Sequence, residues 1–182
     1  MPGTHLALIA GRGALPGAVA QAQARVPLIA SLQGNAPDGL DIDLTFRIEK
    51  LGTFFGQLKA KEVREVCFCG AVTRPEIDPA EIDARTAPMI PTLAAAAAGG
   101  EDSALRAILA LFEEVGFVVR AAHDLAPSLL PTRGMLTQTV PQSDLADQIS
   151  LAETVKAEQG AQDLGQACVI RNGDVIARED TR

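Results

Sequence analysis

The chain has 182 residues, 47% of them hydrophobic and 21% charged, with a formal net charge of −7. That balance is globular, with room for one ordinary domain and part of a second; no run of ~18 apolar residues spans a bilayer and no leader exports the chain, so a cytoplasmic location is expected. The 16 Lys and Arg are scattered among 23 Asp and Glu, and Trp and Tyr are absent, which excludes a nucleic-acid footprint built on a basic face and stacking platforms.

In chain order, residues 5–10 (HLALIA) predict a first strand and 14–25 its helix. A second strand follows at 26–32, with Pro27 near its start, where proline is tolerated. Residues 44–49 predict a third strand, 53–63 a helix and 65–70 (EVCFCG) a buried fourth strand. Two helices come next, 87–99 and 101–116, the latter capped by Asp102 or Ser103 and stopped by Gly116. Residues 117–122 predict a closing strand. Short apolar runs alternating with helical patterns define an α/β fold around a mainly parallel sheet.

The pattern breaks near residue 127. Residues 126–142 carry three prolines and one glycine, so the domains are expected at 1–126 and 143–182, with a linker at 127–142. Beyond it, 144–159 predict an amphipathic helix and QACVIRNGDVIARE a hairpin turning on Asn-Gly. One helix and one hairpin make an incomplete α+β unit, too small to bury a core alone.

Three loops at carboxyl ends of the predicted strands hold the residues with chemistry to offer. The first, Gly11, Arg12, Gly13, Ala14 and Leu15, joins strand to helix, the geometry in which backbone amides face an anion. It departs from the dinucleotide fingerprint, because Pro16 stands at the third glycine position and no acid ends the second strand; nor does it contain Gly-Lys-Ser/Thr. A phosphate or sugar cradle and a plain βα turn both fit it. In the cradle, a side chain at Gly13 would crowd the ligand. The second loop presents Gly70, Ala71, Thr73 and Arg74; Arg74 suits a bidentate clamp on phosphate or a surface pair with Glu76 or Asp78. The third brings His123, Asp124, Thr132 and Arg133. His123 and Asp124, read as neighbours on an extended segment, should point apart, leaving His123 a hydrogen-bonded structural residue rather than a general base. Cys67 and Cys69 share a strand face without further ligands at zinc spacing, so the three cysteines are expected as free thiols.

In order and spacing, LALIAGRGALP, CFCGAVTRPEI, LFEEVGFVVRAAHDLAPSLLPTRGMLT and DLGQACVIRNGDVIARE resemble the UDP-2,3-diacylglucosamine pyrophosphatase family of the LpxI type over nearly the whole chain. The resemblance implies a Rossmann-like N-terminal domain that cradles substrate and a C-terminal catalytic domain, with the lipid ligand between them. It implies hydrolysis of UDP-2,3-diacylglucosamine to UMP and lipid X in lipid A biosynthesis, with Mg²⁺ or Mn²⁺, peripheral contact with the inner membrane and a homodimer. Substrate binding then falls to Gly11, Arg12, Gly13, Ala14, Leu15, Gly70, Ala71, Thr73, Arg74, His123, Thr132 and Arg133. Arg12 replaces the family's usual middle glycine, and Ala71 a usual Asn or Lys. The family's catalytic aspartate falls beyond Arg182, so the 182-residue chain is expected to be a fragment or a truncated product, inactive by itself. The alternative is a Rossmann-like module that binds a nucleotide or phosphosugar and hydrolyses nothing.

Overall fold

The computed structural model describes residues 5–73, 75–98, 101–139, 145–162 and 164–179. The chain divides into two compact units, Met1–Thr92 with Ile108–Pro131, and Leu93–Ala107 with Thr132–Arg182.

The first unit is built on β1 (Leu6–Ala10), β2 (Leu28–Leu32), β3 (Leu44–Phe46), β4 (Glu65–Cys69) and β5 (Val118–Val119). They form one sheet in the order β3-β2-β1-β4-β5, and every neighbouring pair is parallel. β1 and β4 are central, in register from Leu6 with Glu65 to Ala10 with Cys69. Their near-continuous apolar sequences suit strands covered on both faces.

Strand alternation divides those side chains between two layers. On one face, Leu8 and Ala10 of β1 meet Cys67 and Cys69 of β4, Val19 of α1 (Leu15–Gln21) and Ala126, with Ala122 and Leu125 of the short helix α5 packed beside them. The other face is aromatic. Phe54 and Phe55 of α2 (Leu51–Ala60) and Phe112 of α4 (Glu101–Glu114) join Phe46, Phe68 and Phe117 in one connected cluster. Phe112 is its hub: it meets Phe54, Phe55, Phe68 and Phe117 at centroid distances of 4.7 to 6.4 Å and is 1% exposed. The free thiols of Cys67 and Cys69 are buried between α1 and the sheet, where the hydrogen bond with the Cys67 sulfur and then burial push the Cys69 thiol up.

Several boundaries differ from expectation for local reasons. α1 stops at Gln21 rather than 25, and β2 begins only at Leu28, after Pro27. β3 stops at Phe46, since Ile48–Lys50 already turns as a 3₁₀ segment leading into α2. The closing strand is only Val118–Val119, because the chain coils into α5 (Ala122–Leu125). α4 includes Glu101, so its first turn takes in Asp102 and Ser103. Gly116 does stop α4. It sits at φ +99° while the Phe117 N–H bonds the Phe112 carbonyl at 3.0 Å, a Schellman closure sealed by the Phe112–Phe117 contact.

In the second unit, α6 (Leu145–Ala161) carries the antiparallel pair β6 (Cys168–Arg171) and β7 (Asp174–Arg178). Asn172 and Gly173 turn between them with φ of 53° and 83°, both in the left-handed region that a type I′ turn requires. Gln159 of α6, 2% exposed, ties helix to hairpin by donating from Nε2 to the carbonyls of Ala167 at 3.3 Å and Glu179 at 3.2 Å. α3 (Ile90–Ala98) and α4 each contribute residues to both units.

Candidate functional site

All five strands point the same way, so their carboxyl ends share one edge of the sheet, and strand order reverses between β1 and β4. That is the switch point at which open parallel sheets hold ligands. The loops after β1 and β4 are stitched together there. The Gly11 N–H donates to the Cys69 carbonyl at 2.8 Å, and Arg12 and Ala71 exchange two backbone hydrogen bonds, 2.8 and 2.9 Å long, in an isolated antiparallel bridge.

The bridge by itself requires glycine at two of these positions. A Cβ on Gly11 would lie 2.5 Å from the Ala71 carbonyl oxygen, and one on Gly70 would lie 2.6 Å from that of Gly11. Gly13 is different: φ is +95°, and nothing lies within 4 Å of the position its Cβ would take. Backbone conformation alone calls for glycine there. Helix α1 offers a modest anion site, being seven residues long with proline inside its first turn. Pro16 supplies no N–H and the Ala18 N–H closes on Ala14 at 3.1 Å, which leaves Leu15 and Gly17 as N-terminal donors.

The β2 loop is tied to the same platform. Asn35, 3% exposed, accepts the Thr73 N–H at Oδ1 (2.7 Å), while its Nδ2 donates to the Gln33 carbonyl (3.3 Å) and its own carbonyl accepts from Ser31 Oγ (3.0 Å). Thr73 is thereby fixed; Arg74, the expected phosphate clamp, lies outside the described residues. Next along the sheet edge, Glu49 is 2% exposed yet charged. Arg47 binds it twice, Nη2 to Oε1 at 2.6 Å and Nε to Oε2 at 3.2 Å, and the Asp78 N–H donates to Oε1 at 3.0 Å. The Arg47 fork, reinforced by that backbone N–H, holds the Glu49 carboxyl down to about 2. Glu49 therefore fastens the loop after β4 to the end of β3.

His123 lies on α5, whose Ala122 and Leu125 pack with Ala10 and Cys69, the last residues of β1 and β4. It is neither buried nor turned from Asp124. Its side chain is 59% exposed and Nε2 stands 3.6 Å from Asp124 Oδ1, because the helical turn swings the two neighbours together. Thus Gly11–Leu15, Gly70–Thr73 and His123 gather at one end of the first unit. Thr132 and Arg133 are exposed residues of the second unit.

Asn35, Arg47 and Glu49 were not expected. Arg-Ile-Glu at the end of an apolar strand carried a signal, since alternation puts its two charges on one side. Nothing local marked Asn35, whose partner Thr73 is 38 residues away.

The described residues contain no group of three or more His, Cys, Asp or Glu placed to hold a metal. Several carboxylates of the neighbouring loops are engaged in the fold, Glu49 with Arg47 and the Asp78 N–H, Asp78 with the Ala80 N–H and one oxygen of Asp83 with the Thr86 N–H, while Asp124 stands beside His123. Among the described residues no three of them converge, as the oxygen-rich coordination of Mg²⁺ or Mn²⁺ would require.

Comparison with known proteins agrees with this architecture. The chain is 35% identical over 179 residues to the UDP-2,3-diacylglucosamine pyrophosphatase LpxI of Caulobacter vibrioides, an alignment that takes in 96% of this chain and 64% of that protein. Residues 5–129, which include every strand of the parallel sheet, match the model of the LpxI N-terminal domain, and the chain belongs to that family.

Proposed function

We propose that this chain provides the substrate platform of an enzyme that hydrolyses UDP-2,3-diacylglucosamine to UMP and 2,3-diacylglucosamine 1-phosphate (lipid X) in lipid A biosynthesis. The observation that carries the proposal is the backbone bridge between Arg12 and Ala71, which makes one rigid ledge of two loops at the switch point of the sheet. The 35% identity to the Caulobacter UDP-2,3-diacylglucosamine pyrophosphatase supports reading the ledge's ligand as that substrate. The N–H groups of Leu15 and Gly17 and the side chains of Thr73 and His123 supply hydrogen bonds for a phosphosugar. Leu15 and Val72, 44% and 55% exposed beside the bridge, supply apolar surface for acyl chains.

In this reading the platform binds and orients substrate, and the carboxylate chemistry is supplied outside residues 1–182. Mg²⁺ or Mn²⁺ belongs with that chemistry. No described helix is long and apolar enough to cross a membrane; a cytoplasmic protein in peripheral contact with the inner membrane, acting as a homodimer, completes the proposal.

The test is titration of the 182-residue polypeptide with lipid X in detergent micelles, beside an assay of UMP release from UDP-2,3-diacylglucosamine with Mg²⁺ or Mn²⁺. Lipid X binding without UMP release is expected. Absence of binding by a folded sample would overturn the platform, and robust UMP release would show that the chemistry lies within these residues.

A further inference from the structure

The layer of the sheet that faces α1 and α5 holds two thiols which the platform does not use. Cys67 and Cys69 stand two residues apart on β4, so strand alternation turns both side chains to one face, and both belong to the same buried cluster. Cys168, the third thiol, lies in the second unit.

The spacing along β4 has a chemical consequence. Two residues of strand separate Cα atoms by about 6.6 Å, inside the ~4.4–6.8 Å that a disulfide bridges but at its long end. A bond between the two sulfurs is therefore within reach, and it forms only by drawing the strand together. A bond strained in that way is readily reduced again, which suits a reversible couple rather than a structural staple. The two thiols already interact. The Cys69 S–H donates to the Cys67 sulfur, which lowers the Cys67 thiol and raises that of Cys69. Cys67 thus supplies the thiolate and Cys69 the thiol that resolves it.

The cover over the pair is slight on one side. Cys67 is 0% and Cys69 6% exposed, and α5, a single turn of four residues, packs on their cluster through Ala122 and Leu125, with Ala126 directly after it. So short an element opens far more readily than the sheet beneath it, which admits a small oxidant. The same stretch of β4 holds the ledge. The Cys69 carbonyl accepts the Gly11 N–H at 2.8 Å, and Ala71, two residues on, exchanges two hydrogen bonds with Arg12. Contraction between Cys67 and Cys69 pulls on all three.

We propose that Cys67 and Cys69 form a dithiol–disulfide couple, closed by a peroxide, whose closure loosens the junction between the β1 and β4 loops. The Cys67 thiolate attacks one oxygen of hydrogen peroxide to give a sulfenic acid, and the other oxygen leaves as hydroxide, which takes up the proton that Cys67 released. The Cys69 thiol then attacks the sulfenic sulfur; the S–S bond forms, and the sulfenic oxygen leaves as water with the Cys69 proton. Two thiols and one peroxide become one disulfide and two waters.

The experiment exposes the folded 182-residue protein carrying Cys168→Ser to hydrogen peroxide. Thiols are then counted by alkylation in denaturant, the link is located by mass spectrometry of the digested chain, and amide exchange is followed by NMR. Loss of both alkylatable thiols and of two hydrogen atoms from the mass, reversed by dithiothreitol, is expected. In the oxidised protein, exchange at Gly11, Arg12 and Ala71 should accelerate about tenfold, as loss of one backbone hydrogen bond would give, while Ala30 of β2 keeps its protection. Cys69→Ala should stop at the sulfenic acid, trapped by dimedone, and Cys67→Ala should give no disulfide; peroxide should leave amide exchange unchanged in both variants. Two intact thiols after treatment, or a link that forms only in urea, would overturn the couple. A disulfide that leaves exchange at Gly11, Arg12 and Ala71 unaltered would overturn its hold on the loops. No ligand enters these measurements, so their outcome is independent of the substrate reading above.

Discussion

Gly11 and Gly70 press backbone against backbone: a Cβ on either would come within 2.6 Å of a carbonyl oxygen in the opposing loop. Neither loop can yield without loosening the Arg12–Ala71 bridge. Gly11→Ala and Gly70→Ala are each expected to destabilise the protein by ~1–3 kcal/mol, as overpacking does. Gly13→Ala has open space around it and should cost only the ~1–2 kcal/mol of a left-handed residue. Urea unfolding midpoints test this ordering, and a larger cost at Gly13 than at Gly11 would show that the bridge does not hold the loops. Gly13→Val, the obvious substitution against a phosphate cradle, strains the backbone at φ +95° whether or not ligand is present.

How much of this could be read from the sequence depended on the range of the interaction. β1 and β4 were legible because both are covered on two faces and appear as unbroken apolar runs. The Asn172-Gly173 turn was legible because its chemistry is local. The glycines at 11 and 70 were noticed, but the backbone contact that requires them was not, since their neighbour is another loop about sixty residues away and no local rule connects them. His123 was misplaced by a single error of local conformation: residues 122–125 are helical, and a helical turn brings together two side chains that a strand would separate.

Asn35 should behave as a clamp between loops. Asn35→Ala leaves the Thr73 N–H without its 2.7 Å acceptor, and the expected cost is ~1–3 kcal/mol. Amide exchange at Thr73 should accelerate well beyond that of β1 and β4. Unchanged protection at Thr73 would mean that the loop is held by something else.

Phe112 is the residue on which the aromatic layer depends. With four ring partners and 1% exposure, it cannot be truncated without a cavity bordered by α2, β4 and Phe117. Phe112→Ala is expected to cost ~3–5 kcal/mol. Phe112→Leu should recover much of it by keeping volume, at the loss of the edge-to-face contacts. Differential scanning calorimetry that found the two variants equally unstable would assign the loss to aromatic geometry rather than to volume.

Glu49 makes stability depend on pH in a definite direction. In the unfolded chain its carboxyl titrates near the ordinary 4.5, whereas Arg47, together with the Asp78 N–H, lowers it to about 2 in the fold. Between those values the unfolded state holds the extra proton, so stability rises with pH there. The contribution is fully present above the unfolded value, drains away as pH falls toward the folded value, and is flat below it. The interval corresponds to stabilisation on the order of 3 kcal/mol, since each pKa unit is worth ~1.4 kcal/mol. Glu49→Gln keeps the shape and removes the titration. The wild-type urea midpoint should therefore fall more steeply than that of the variant between about pH 5 and pH 2, and the variant should be the less stable at neutral pH because Arg47 then lacks its counter-charge. Parallel pH profiles for the two proteins would contradict an ionised, buried Glu49 and would leave the β3 and β4 loops joined by other contacts, among them the Asp83 N–H on the Glu49 carbonyl and the Lys50–Glu81 pair.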